Sequence, residues 1–300
     1  MTRAEREPVV ISSSSGTAKI PPIVGMRRRR FLVVASTAVG IFALVPAFGG
    51  TTASGTGRSG SLHARAPSGN PWQPLTPGLQ SIARGYVNVG NRRLPHLRIY
   101  TVTDVVKIID GVRSVAVLDQ DVDGGQISEQ AIDFLSLDAR GTVWYRGSYT
   151  ESYEAGRFVN ALDGWLAGRN GAKAGIFMPA RPRAGSPAYY QQQVPGLEAT
   201  VAQVVKTHQT KCVPFRCFKN VVVILEGADE YKYYAPGAGG IRTEPRSSSE
   251  PQETEDLINL RQLGAPGLAE LSAEVLKLDR HARTTMPDVF GGAPAAKRTP

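Results

Sequence analysis

The chain has few of the residues that usually carry catalysis or hold a metal. Its 300 residues include only two cysteines and four histidines. The sequence contains no G-x-S-x-G, no H-E-x-x-H and no glycine-rich phosphate loop, the patterns that mark many serine hydrolases, zinc peptidases and nucleotide-binding enzymes. These absences exclude the enzyme classes that a short motif identifies. We therefore expect no cofactor, no metal site and no catalytic residue.

A basic stripe that could follow a nucleic-acid backbone is also absent. The net charge is +9, but residues 1–50 hold seven Lys or Arg and two Glu and so supply +5 of it. The rest of the chain carries +4, and its basic residues are neither clustered nor interleaved with aromatic residues. The sequence therefore predicts a mildly basic domain that does not bind nucleic acid.

The two cysteines, Cys212 and Cys217, are close together in the stretch TKCVPFRCF. A zinc site would need two further ligands at suitable spacing, and His208 is the only histidine nearby. Two neighbouring cysteines in an exported protein are typical of a disulfide, and Pro214 suits the tight turn that would bring them together. We predict a disulfide between Cys212 and Cys217.

An export signal is indicated by residues 26–53. Four arginines precede an apolar run from Phe31 to Phe48, and small residues follow it, which is the layout of a signal peptide. Within this stretch Arg28, Arg29, Phe31 and Leu32 resemble the core of a twin-arginine signal, which implies transient contact with an export translocase. An uncleaved membrane anchor over residues 31–48 is the alternative. Both alternatives place the domain outside the cytoplasm, either secreted or on the outer face of the membrane.

The remaining sequence reads as one β domain with polar ends. Short runs rich in β-branched residues alternate with turns such as Asp110-Gly111 and Asp123-Gly124, which predicts consecutive hairpins in a curved, half-barrel-like antiparallel sheet. Apolar residues at helical spacing after Pro266 predict one amphipathic helix. The predicted segments are an N-terminal extension or over-long start (1–25), the signal or anchor (26–53), a flexible linker (54–69), the β domain (70–245), a polar spacer (246–264), the helix (265–284) and a disordered tail (285–300).

The stretch DQDVDGGQISEQ resembles the start of a calcium-binding loop. Asp119, Asp121 and Asp123 stand at alternate positions and Gly124 follows, as in an EF-hand loop. Gln130 occupies the position that needs a bidentate glutamate, however, and the flanking residues predict strands rather than helices. We interpret the stretch as the turn of a β-hairpin, with the aspartates at its solvated end.

Aromatic residues are the main candidates for ligand binding. Trp144, Tyr189 and Tyr233 lie in predicted strands, where they could line a binding concavity or could pack in the core. Acidic residues also fall on or beside the hairpins, and two of them could converge as a glycosidase-like pair, although a solvated face explains them equally. These acidic residues are Asp133, Asp138, Glu151 and Glu154.

Several stretches together resemble a family of exported bacterial proteins of unassigned activity that is common in actinobacteria. They are NPWQPLTPG, DARGTVWYRGSYTESYEAGR, GIFMPARPRAGSPAYYQQ, FKNVVVILEG and EYKYYAPGAGGI, in this order within residues 70–245. The resemblance implies a curved antiparallel sheet similar to DUF3108-like or lipoprotein-carrier half-barrels, and it implies no reaction. We expect an exported, non-catalytic protein that binds an apolar or glycan ligand. The alternative is an extracytoplasmic hydrolase with an unrecognised carboxylate site.

Overall fold

A computed structural model describes residues 69–89, 92–227, 230–247 and 253–299. The predicted N-terminal extension, export signal and linker, including Arg28, Arg29, Phe31 and Leu32, lie outside the described residues. Within the described ranges, no helix is long and apolar enough to cross a membrane.

The described residues form fourteen strands, one α-helix and one short π-helix. The strands are β1 (Leu79–Val89), β2 (Arg92–Ile109), β3 (Val112–Asp123), β4 (Gln126–Leu137), β5 (Val143–Glu154), β6 (Arg157–Leu166), β7 (Lys173–Met178), β8 (Tyr189–Gln193), β9 (Thr200–Cys212), β10 (Cys217–Glu226), β11 (Glu230–Ala235), β12 (Gly239–Pro245), β13 (Thr254–Gln262) and β14 (Lys297–Arg298). The helix α1 (Ala265–Thr285) follows β13, and the π-helix (Pro287–Gly291) follows α1.

The strands close into a barrel rather than the open half-barrel that the sequence predicts. Twelve strands follow one another in the order β1, β13, β12, β11, β10, β9, β8, β7, β5, β4, β3 and β2. The ring closes because β1 pairs antiparallel with both β2 and β13. Outside the ring, β6 pairs with the second half of β5, and β14 pairs with Val105 and Val106 of β2.

The difference from the half-barrel has an identifiable cause in β13. This strand lies in the segment that its polar sequence led us to interpret as a spacer, and only Glu255 and Leu257 of its nine residues are buried. Its pairing with β1 joins residues about 175 positions apart, and short-range hairpin signals carry no information about such a contact. The tail beyond the helix is likewise ordered here, as the π-helix and β14.

An apolar cluster fills the barrel interior. It joins side chains from eight strands spread around the ring, so it must lie inside. Its buried members are Val102, Val117, Leu135, Val143, Met178, Ala202, Val204, Val222, Ile224 and Tyr234. The small cavity beside Tyr100 and Val102 has a volume of only about 10 Å³, enough for a single water at most. The inner face of the sheet, which the sequence predicts as a concave binding surface, is therefore filled with side chains around Tyr100 and Val102.

A second cluster lies outside the barrel and is covered by α1. Side chains on either side of Val117, such as Ala116 and Leu118, point to the opposite face of β3 and belong to this outer cluster. The buried residues of α1 that complete it include Val275, Leu278 and Ala282, at helical spacing. Burying a leucine side chain contributes about 1.5–3 kcal/mol. The bounds of α1, Ala265–Thr285, agree with the predicted helix over 265–284. The helix packs against β2 to β6.

A buried ion pair holds α1 and the tail to the barrel. Lys107 Nζ of β2 lies 2.7 Å from Asp279 Oδ1 of α1 and also donates to the Pro294 carbonyl at 2.7 Å. Asp279 Oδ2 accepts from the backbone N–H of Ala296 at 3.0 Å. Burial lowers the pKa of Lys107, an effect that Asp279 opposes. Each charge is therefore stabilised only while its partner is present.

Candidate functional site

A cleft opens between α1 and the hairpin formed by β5 and β6. Its volume is about 470 Å³, within the range of small-molecule sites. Residues of both elements line it: Glu151, Tyr153, Phe158, Lys277, Leu278, Arg280, His281 and Thr284. The hairpin supplies mainly apolar and aromatic surface, and the helix supplies the basic groups.

Glu151 organises the wall of this cleft. Its side chain is 3% exposed, and it accepts hydrogen bonds from Tyr149 at 2.8 Å and Tyr153 at 2.5 Å. His281 Nδ1 lies 2.6 Å from Glu151 Oε1. Burial, with the nearby carboxylate, raises the pKa values of both tyrosines well above their usual range. The hydroxyls therefore stay protonated and donate to Glu151.

The imidazole of His281 is oriented by its neighbours. A carboxylate oxygen accepts hydrogen bonds, so the proton of the ring is assigned to Nδ1 and Nε2 remains for other contacts. The ring meets Phe158 edge to face at 4.7 Å between centroids, and the side chain is 39% exposed. His281 is thus fixed in direction and remains accessible to a molecule in the cleft.

The cleft orients an imidazole but offers no obvious nucleophile. A buried carboxylate that holds a histidine is half of the arrangement found in many hydrolases. None of the lining residues is a serine or cysteine. The two lining hydroxyls are already bonded, since Tyr153 donates to Glu151 and Thr284 donates to the His281 carbonyl at 2.8 Å. Glu151 is also the only carboxylate among the lining residues, so no glycosidase-like pair is formed there.

The basic and apolar groups of the cleft lie close together. Phe158 is 40% exposed and presents an aromatic ring to the cleft. On the helix side, Lys277 carries a 3.2 Å ion pair with Glu274, and Arg280 and His281 lie one turn further on. The surface therefore combines apolar area with positive charge.

Trp144, Tyr189 and Tyr233 lie in separate surroundings. Trp144 donates from Nε1 to Asp138 at 2.9 Å, and Tyr189 packs against the interior cluster. Tyr233 packs beside a third cluster that contains Phe218, and its hydroxyl donates to Glu244. None of the three lines the cleft, so their role in ligand binding stays a prediction.

Other acidic candidates from the sequence have structural partners. Asp133 accepts hydrogen bonds from Tyr145 at 2.6 Å and Ser148 at 3.2 Å. Asp138 accepts from two backbone N–H groups of its own turn, which together with Trp144 lower its pKa although burial raises it. Glu154 ends β5 at an exposed turn. Of the four acidic residues named from the sequence, only Glu151 belongs to the cleft.

Sequence reasoning missed His281 and the basic residues beside it. Glu151 and His281 are 130 positions apart. The sequence signal that identified the helix was the spacing of its apolar residues, which does not point to His281. A weak signal existed in Lys277, Arg280 and His281, which lie on one side of α1 because residues three to four apart are neighbours on a helix.

The hairpin and the disulfide are as predicted, but the prediction of a solvated end for the aspartates is wrong. Asp119 and Asp121 are each only 4% exposed, because Arg98 and His96 of β2 lie against them. Asp119, Asp121 and Asp123 lie on β3, and Gly124 and Gly125 form the turn into β4 with φ values of 58° and 86°. This hairpin is incompatible with an EF-hand loop. The structure also has a disulfide between Cys212 and Cys217, at the end of the hairpin formed by β9 and β10.

Comparisons with known proteins give only distant structural similarity. No family model and no curated protein matches the chain. A protein from Bacteroides fragilis described as exported, with a YmcC-like fold, is 14% identical with a TM-score of 0.35, over 63% of this chain and 97% of that one. A protein from Parabacteroides distasonis described as a lipoprotein is 14% identical with a TM-score of 0.36, over 65% of this chain and 100% of that one. At such TM-scores the similarity does not bear on what this chain binds.

Proposed function

We propose that the protein is an exported, non-catalytic binding protein that holds an apolar ligand with an acidic group. The observation that carries the proposal is the cleft between α1 and the β5–β6 hairpin, which combines exposed Phe158 with the oriented imidazole of His281. Apolar area supplies affinity in such sites, and a few placed polar groups fix orientation.

The charges of the cleft favour an acidic group on the ligand. Arg280 and His281 come from α1, as does Lys277, which is paired with Glu274. Glu151 is buried and already accepts three hydrogen bonds. An acidic group would therefore meet the basic side chains rather than the carboxylate. The chemistry fits a fatty acid or a similar anionic amphiphile better than a neutral glycan.

Export is supported by the sequence of residues 26–53, and a disulfide suits an oxidising compartment. Replacing Arg28 and Arg29 with lysine in a reporter fusion should abolish export, because twin-arginine translocation depends on that pair. A fusion that is still exported at the wild-type level would instead indicate the general secretory route.

Binding can be tested with 11-(dansylamino)undecanoic acid, an anionic fluorescent amphiphile. We expect saturable binding that weakens about tenfold, or ~1.4 kcal/mol, in Phe158→Ser and in Arg280→Glu. Tyr190→Ser is the matched control, because Tyr190 is a 50% exposed aromatic residue outside the cleft. Binding should be unchanged in this control.

The methyl ester of the probe separates the two parts of the proposal. Weaker binding of the ester would support recognition of the acidic group, and equal binding would leave only an apolar site. If none of the cleft variants alters the affinity, the cleft is not the binding site and the proposal fails.

A hydrolase is the second candidate, favoured by the 2.6 Å contact between His281 and Glu151. The test is turnover of p-nitrophenyl acetate and p-nitrophenyl butyrate. We expect no hydrolysis above that of the His281→Ala variant. Turnover that is lost in this variant and retained in His208→Ala would establish the hydrolase instead.

A further inference from the structure

A group of ionisable side chains gathers where the barrel closes. Gly85 of β1 pairs with His96 of β2 on one side and with Glu255 of β13 on the other, so these two side chains face each other across a residue that has none. A Cβ at Gly85 would lie 1.5 Å from the Thr254 carbonyl oxygen. Glycine at this position therefore permits the close approach of β13.

His96 is the centre of the group and is fully buried. Its Nδ1 lies 2.7 Å from Asp123 Oδ1, so the carboxylate holds the ring in one orientation. Its Nε2 is enclosed by three more carboxylates and yet forms no hydrogen bond of acceptable geometry. The distances from Nε2 are 3.0 Å to Glu253 Oε1, 3.5 Å to Glu255 Oε1 and 3.8 Å to Asp121 Oδ1.

These distances match the spacing of ligands around a shared metal ion. Zn²⁺ binds nitrogen and oxygen ligands at about 2.0–2.2 Å in a tetrahedron, which places neighbouring ligand atoms about 3.4 Å apart. The ligand atoms of His96, Asp121 and Glu253 all lie within 4.8 Å of one another. A histidine whose second nitrogen is bound to a carboxylate is also the usual arrangement around protein-bound zinc.

The charges of the group also indicate a site for a cation. Arg98 binds Asp119 through paired contacts of 2.7–3.1 Å. Its other guanidinium nitrogen lies 3.9 Å from Glu255. The carboxylates of Asp121, Asp123, Glu253 and Glu255 surround a single imidazole, so the carboxylates of the group outnumber its basic side chains. This part of the protein interior therefore favours added positive charge.

We infer that His96 Nε2, Asp121, Glu253 and Glu255 form a binding site for a divalent transition-metal ion such as Zn²⁺, with Asp123 orienting the imidazole. One imidazole and several carboxylates suit Zn²⁺ and its first-row neighbours, whereas Ca²⁺ and Mg²⁺ prefer oxygen ligands alone. The site is distinct from an EF-hand, because its ligands come from β2, β3, β13 and the residue before β13 rather than from one loop.

The position of the site indicates a role in closing the barrel. Glu253 precedes β13 and Glu255 lies within it, whereas His96 and Asp121 lie on β2 and β3. A metal ion there would cross-link β13 to β2 and β3. Metal binding should consequently stabilise the folded chain, because the unfolded chain does not hold these groups together.

The test uses the full-length protein without a polyhistidine tag, freed of metal with a chelator and titrated with ZnCl₂ by calorimetry. We expect one Zn²⁺ per chain, a higher melting temperature with Zn²⁺, and no comparable effect of Ca²⁺. Affinity should fall at least about 100-fold in His96→Ala. It should fall about 10- to 100-fold in Asp123→Asn, which removes only the orienting carboxylate.

Two matched controls guard against surface binding and misfolding. His208→Ala removes an exposed histidine, and Glu244→Gln alters a half-buried glutamate of β12 that contacts Arg242; both should bind Zn²⁺ like the wild type. If His96→Ala fails to fold, Glu253→Gln provides the same test at a partly exposed position. Absence of stoichiometric binding, or binding equal in wild type and Glu253→Gln, would overturn the inference, as would Ca²⁺ binding tighter than Zn²⁺.

Discussion

The protein holds two histidine–carboxylate pairs in contrasting surroundings. At the cleft, His281 is 39% exposed and faces one carboxylate, Glu151, which two tyrosines also contact. At the barrel seam, His96 is fully buried and faces four carboxylates. The same pair of groups thus orients an accessible imidazole in one place and creates a buried, negatively charged cage in the other. Burial and the number of acidic neighbours decide which role each histidine can have.

The two histidines differ in the number of carboxylates that act on the imidazole. Burial opposes the positive charge on His96, but its contacts with Asp123, Glu253 and Glu255 outweigh that effect and raise its pKa to about 12. The cleft contains no such accumulation of carboxylates, so its polar groups serve orientation.

The largest expected effect comes from breaking the attachment of the helix that forms one wall of the cleft. Asp279→Ala should destabilise the protein by about 3–5 kcal/mol, because it leaves the buried Lys107 without its partner. Urea unfolding measures this loss. The double variant Lys107→Met with Asp279→Leu should recover part of the stability, since no buried charge remains, although the Ala296 N–H and the Pro294 carbonyl lose their partners. A double variant as unstable as the single one would contradict the ion-pair account.

The barrel seam can be disturbed without touching its charges. Gly85→Ala should cost roughly 1–3 kcal/mol or more, because the new methyl group meets the β13 backbone. It should also weaken Zn²⁺ binding and leave ligand binding in the cleft unchanged. Gly240→Ala is the control, since a Cβ there would have its nearest contact at 3.9 Å. Equal unfolding free energies for both variants would show that β13 does not need the close approach at Gly85.

A smaller effect is expected from the carboxylate of the cleft. Glu151→Ala should cost about 1–3 kcal/mol, because the buried Tyr149 hydroxyl loses an acceptor. His281→Ala should cost less than about 1 kcal/mol, because that side chain is partly exposed, yet it should weaken binding of the dansyl probe. Thermal and urea unfolding measure the stabilities. Equal losses of stability in the two variants would mean that His281 is mainly structural.

Local features of the fold follow from the sequence, and distant contacts do not. Turns such as Asp123-Gly124 and the spacing of Val275, Leu278 and Ala282 predict the hairpins and the helix, because these signals act over a few residues. Barrel closure depends on β13, whose polar, weakly alternating residues gave no strand signal. The cysteine pair was predictable because its members are neighbours in sequence.

The candidate site was beyond reach of the sequence for the same reason. Glu151 was one of several acidic residues on hairpins, and nothing in the chain linked it to His281. The tandem aspartates were correctly placed in a hairpin, but their common face became meaningful only when β2 and β13 brought His96 and Glu255 beside them. Side chains on strands that are distant in sequence come together only once those strands have closed into the barrel.

The most direct test of the account is the NMR spectrum of the imidazoles, which is readable because the chain has only four histidines. In protein labelled at histidine, 11-(dansylamino)undecanoic acid should shift the signals of His281 and leave those of His96 unchanged, and Zn²⁺ should do the reverse. The variants His281→Ala and His96→Ala assign the signals. A probe that binds without moving the His281 signals would contradict the assignment of the cleft as the ligand site.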